Sequence, residues 1–75
     1  MPAVTLADAP LATPLTIVGL PVGLARRLTR MGLREGTSFS VLRRSSGGGR
    51  VVAVAGSRVA LGASVLRQVA VEVAR

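Results

Sequence analysis

Between Thr37 and Arg43 the side chains alternate, Phe39 and Val41 on one side and Ser38 and Ser40 on the other, which is the period of two of a half-buried strand. The same alternation returns near the end of the chain, where Val69, Val71 and Val73 interleave with Gln68, Ala70 and Glu72 and predict a closing strand. Between these, Arg50 to Ala55 and Arg58 to Leu61 read as two strands of a meander joined by Gly56-Ser57, a two-residue hairpin signal. Upstream, Leu15 to Leu20 is almost continuously apolar, as in a strand covered on both faces or adjoining a helix. Thr5, Leu6 and Ala7 give an extended start that turns at Asp8-Ala9-Pro10, since the residue before proline avoids helical geometry. Short strands at short intervals, separated by Gly, Pro and Ser, predict a mainly β fold, a small barrel or sandwich.

One segment changes period. From Gly23 to Met31, Leu24, Leu28 and Met31 recur at spacings of four and three, so they form one stripe of a short helix and leave Arg26, Arg27 and Arg30 on its other side. Gly32 is the expected left-handed terminator, with Leu33 placed to pack back on Leu28. Ser45 to Gly49 reads as a flexible connection, and Gly62 to Gln68 as a bend or single helical turn.

Seventy-five residues suffice for one domain, expected over 1–75, with a core near the lower limit of what packing alone holds together. Cys is absent, which removes disulfides and thiolate ligands and fits a reducing compartment. The longest uncharged stretch, Ala9 to Ala25, is broken by Pro10, Pro14 and Pro21, so it predicts neither a spanning helix nor a secretory signal. The net charge of +7, carried by arginine without any lysine, favours an acidic partner, nucleic acid or an anionic membrane surface.

The inventory of reactive groups is short. With no His or Cys, and with Asp8, Glu35 and Glu72 far apart along the chain, no ferrous site is expected. Ser and Thr have no His, Lys, Cys or Tyr to activate them, so no catalytic residue is assigned. One route to chemistry is left, an arginine finger lent to a partner's GTPase, with Arg34, Arg43, Arg44 and Arg50 as donors against the plainer reading of solvated surface charge. Ser45-Ser46-Gly47-Gly48-Gly49-Arg50 could cradle an anion with its backbone N–H groups, but it lacks the Gly-Lys-Ser/Thr ending of a P-loop and reads first as a plain hairpin loop. Arg26, Arg27 and Arg30, with Arg34 beyond the helix, are the candidate partner-binding residues. A basic barrel binding nucleic acid is the rival from another class, weakened because Phe39 alone offers no stacking platform. A self-associating structural module is the third reading.

The pattern as a whole, from Thr5 to Val73, resembles the FeoA family. Its most specific element is Leu28-Thr29-Arg30-Met31-Gly32-Leu33-Arg34-Glu35-Gly36, similar to the family's helix end leading through two glycines into the next strand. Val54-Ala55-Gly56-Ser57-Arg58-Val59-Ala60-Leu61 with Val69-Ala70-Val71 resembles its hairpin, bend and terminal strand, and Thr5-Leu6-Ala7-Asp8 its opening. Two departures stand out: Gly62 where a basic residue is frequent, and Leu66 where a small one is usual. The resemblance implies an SH3-like β-barrel with one short α-helix after the first strands. It further implies a non-catalytic accessory of ferrous iron transport that acts, without cofactor, on the cytosolic GTP-binding part of the transporter FeoB. That role implies a cytoplasmic location, peripheral at the inner membrane when held there by a partner. Similar domains end DtxR-type metal-dependent repressors, but no winged helix or dimerisation helix is legible here, so a complete repressor is not expected.

Overall fold

The structure is a computed structural model that describes residues 4–74. Six strands, β1 (Val4–Thr5), β2 (Leu15–Gly19), β3 (Ser38–Arg44), β4 (Arg50–Val54), β5 (Ser57–Leu61) and β6 (Ala70–Val73), form one antiparallel sheet in the order β1-β6-β2-β3-β4-β5. Helix α1 (Ala25–Arg30) lies between β2 and β3, and the single turn α2 (Ala63–Leu66) between β5 and β6. Strand β3 is shared. Its first residues pair with β2, Leu15 opposite Phe39, and its remainder pairs with β4, Ser40 opposite Ala53 through Arg44 opposite Arg50, so the sheet curls about this strand.

Alternation predicts the inner face well. Phe39, Val41, Val52, Val54 and Val71 are buried with Leu15 and Ile17, and Leu28, Leu33 and Leu66 pack against them from the helices and loops. Each such side chain contributes about 1.5–3 kcal/mol on burial, enough in sum for a core with Phe39 as its one aromatic residue. Of the two readings of the apolar run in β2, coverage on both faces does not hold, while the strand does lead into helix α1. Val18 is 40% exposed and is the extra residue of a bulge, since Ile17 pairs with Val71 but Gly19 already pairs with Ala70. A second bulge expels Leu42 between the pairs Val41–Val52 and Arg43–Val51.

The helix is shorter than its periodicity predicts, Ala25–Arg30 rather than Gly23 to Met31, because Leu24 caps it without a side-chain bond and Gly23 belongs to the preceding turn. Six residues do not hold a helix by themselves; the end does much of the work. Gly32, at φ +90°, donates to Thr29 and Leu33 donates to Leu28, the paired bonds of a Schellman cap, and Leu33 is buried beside the core as expected. The β4–β5 turn falls one residue earlier than Gly56-Ser57. Val54 pairs with Ser57, leaving Ala55 and Gly56 as the central pair with φ of 50° and 80°, the positive values a type I′ hairpin requires. At the N-terminus only Val4–Thr5 is extended, and Leu6-Ala7-Asp8 already turns. The connection Ser46–Gly48 is a 3-10 turn, closed by the Ser45 N–H donating to the Gly49 carbonyl.

Among the described residues no strand pairing joins β1 to β5, so the barrel has a seam. Arg50 spans it. This residue shares the inner face of β4 with Val52 and Val54, is 8% exposed, and donates through Nη1 to the carbonyls of Ala9 at 2.6 Å and Leu6 at 3.2 Å. A side chain near one edge of the sheet thereby fastens the turn that follows the strand at the other edge.

Candidate partner-binding surface

Helix α1 projects Arg26, Arg27 and Arg30 into solvent, while Leu28 fixes the opposite face in the core. Spacings of three and four keep Arg30 beside both Arg26 and Arg27. Arg34 is exposed in the turn beyond the Schellman cap, where its carbonyl accepts the Thr37 N–H. The four candidate residues thus divide into three on one helix and one past its end. They differ in setting too, because Arg27 lines a hollow beside the helix.

That hollow, of about 140 Å³, lies between α1 and the corner where β5 enters α2; Leu24, Leu28 and Met31 line one side and Leu61, Gly62 and Val65 the other. Sites for cofactors and other small molecules run from about 300 Å³ upward, so this one suits an inserted aliphatic side chain. Val22, in the loop before the helix, is 96% exposed. Sequence patterning foretells the helix half of the hollow but not Val65 and Gly62, which reach it only through the chain's path around β5.

The other arginines separate clearly. Arg43 and Arg44 are exposed at the end of β3, whereas Arg50, taken from the sequence as a donor for a partner's active site, is committed to the seam and is withdrawn from that role. No cluster of three metal-ligating side chains occurs among the described residues. No described helix is long and apolar enough to cross a membrane. Leu66, one of the two departures from the family pattern, is fully buried, and its carbonyl accepts the Ala7 N–H, so the larger side chain fills the core beside the N-terminal turn.

A curled antiparallel sheet with a short helix after the second strand, open at one seam, defines a small SH3-like barrel. The chain matches the FeoA domain family over residues 4–73 and belongs to it. A crystal structure of an iron uptake regulatory protein, FeoA, is 25% identical, with 96% of this chain covering 97% of that one at a TM-score of 0.83. A FeoA-like protein from Clostridium acetobutylicum is 18% identical over 97% of this chain and 88% of its own, TM-score 0.82. The fold also recurs in a manganese-dependent transcriptional repressor, 21% identical, TM-score 0.85, of which this chain covers 38%. No curated protein matches the chain in sequence.

Proposed function

We propose that this protein is a non-catalytic accessory of ferrous iron uptake that binds the cytosolic GTP-binding part of the transporter FeoB. Membership of the FeoA family supports the role in iron uptake. The observation that carries the binding mode is the hollow beside α1, lined mostly by aliphatic residues, with Arg27 on its wall and Arg26 and Arg30 on the same helix. A buried apolar anchor supplies most of the energy of such contacts, and surrounding charge supplies orientation and rate. The partner surface then offers an aliphatic side chain flanked by acidic residues. Iron is the cargo of the partner rather than a ligand of this chain. Nucleic acid is disfavoured because Phe39, the one aromatic residue, is 5% exposed and has no face to stack on.

Chemical-shift mapping tests the surface: the ¹⁵N-labelled protein is titrated with the cytosolic domain of the transporter. Perturbations centred on Leu24 to Met31 and Ala60 to Val65 support the assignment. Perturbations confined to the end of β3, around Arg43 and Arg44, refute it.

A further inference from the structure

A second hollow, with no residue of α1 in its lining, lies beside the Ser45–Gly49 turn. It is open, about 440 Å³ in volume, and lined by Ala7, Arg44, Ser45, Gly48, Gly49 and Arg50. Two of six lining residues are cationic and none is acidic. Arg44 and Arg50 are direct partners in the β3–β4 ladder, so their side chains leave one face of the sheet with Cβ atoms about 5 Å apart, an arrangement in which like charges repel.

Arg50 adds the more telling feature. A guanidinium has five N–H donors, and Nη1 uses its two on the Leu6 and Ala9 carbonyls. Nε and Nη2 find no acceptor among the described residues, and no buried side-chain nitrogen there is left unpartnered. Arg50 is 8% exposed and lines the hollow, so the accessible part of this otherwise buried cation is turned to it. Gly48 and Gly49 leave that wall without side chains. At Gly49 none would fit, as a Cβ would meet the Leu61 carbonyl oxygen at 2.8 Å and Ser45 Oγ at 2.7 Å.

We propose that this hollow binds a phosphate dianion, free or as the monoester end of a small metabolite. Guanidinium forks match phosphate oxygens, and two facing cations favour a doubly charged ligand over a carboxylate. The site shares no lining residue with the hollow on α1, although its Gly49 lies against Leu61 and Gly62 of that hollow, and its volume falls in the range of small-ligand pockets.

The test is a titration of the ¹⁵N-labelled full chain with inorganic phosphate and, separately, with glycerol phosphate, each against sodium chloride at matched ionic strength. Saturable shifts at the amides of Ser45, Gly48 and Gly49 and at Arg50 Nε are expected. The stronger of the two ligands identifies the free ion or the monoester as the preferred form. A monoester gains its second charge near pH 6, so glycerol phosphate binds more tightly at pH 7.5 than at pH 5. Arg44→Gln, at an exposed position, keeps the fold and weakens binding about tenfold or more, the loss of one charge-assisted contact. Absence of saturable shifts, their reproduction by chloride, equal shifts at Arg26, Arg27 and Arg30, or indifference to Arg44→Gln would overturn the proposal.

Discussion

Replacing Arg50 by Met removes the side chain that spans the seam while keeping a flexible apolar stem in its place. Two hydrogen bonds from a charged donor, to the carbonyls of Leu6 and Ala9, disappear. At about 1.5–3 kcal/mol for each bond to a charged group, the gross loss is about 3–6 kcal/mol. Water entering through the adjoining hollow can hydrate the orphaned carbonyls, and the methionine recovers some packing, so a net loss of about 2–4 kcal/mol is expected. A domain of this length has roughly 4–11 kcal/mol in total, so the substitution consumes a large share. Urea denaturation followed by circular dichroism measures it, with Arg43→Met as the exposed control expected within about 0.5 kcal/mol of the parent. Amide exchange locates the damage: Leu6, bonded to the Val69 carbonyl, and Ala7, bonded to that of Leu66, should lose protection ahead of β3 and β4. An Arg50→Met protein as stable as the Arg43→Met control would refute the claim that this side chain closes the barrel.

Other positions give independent checks. Ala55 sits at φ 50° in the hairpin turn, a conformation costing a non-glycine residue about 1 kcal/mol, so Ala55→Asn should raise stability by about 0.5–1 kcal/mol in a thermal melt. Gly49→Ala should cost at least about 2 kcal/mol, because the new methyl group meets the fixed Leu61 carbonyl oxygen as well as the movable Ser45 hydroxyl. Val22→Ser, at a 96% exposed position, should leave the melting temperature unchanged, and any loss of partner binding would then mark Val22 as a contact.

Much of the fold is legible in the sequence because local chemistry and tertiary placement agree. Phe39 and Val41 alternate with serines on a strand that is half buried, and Gly32 followed by Leu33 ends the helix as that pair predicts. Legibility fails where placement depends on a distant partner. The bulges that expel Val18 and Leu42 arise from the pairing of β2 with β6 and of β3 with β4, and an apolar run by itself does not distinguish a bulge from double coverage. Arg50 is the instructive case. Counting back by twos from Val54 and Val52 puts it inside, but a charged residue at a strand end ordinarily belongs to solvent; only the nearby carbonyls of Leu6 and Ala9 reverse that rule. The candidate partner surface is half legible, since the helix arginines and leucines are periodic while Val65 joins them through the fold.

The most direct test of the accessory role is a calorimetric titration of this protein into the cytosolic GTP-binding domain of its host's ferrous transporter, at low and moderate salt, with an RNA oligomer as parallel ligand. Saturable binding to the domain that survives moderate salt, and that weakens about tenfold or more in the Arg26→Ala, Arg27→Ala, Arg30→Ala triple variant, is the predicted result. No binding to the domain, together with binding to RNA that collapses as salt rises, would contradict it.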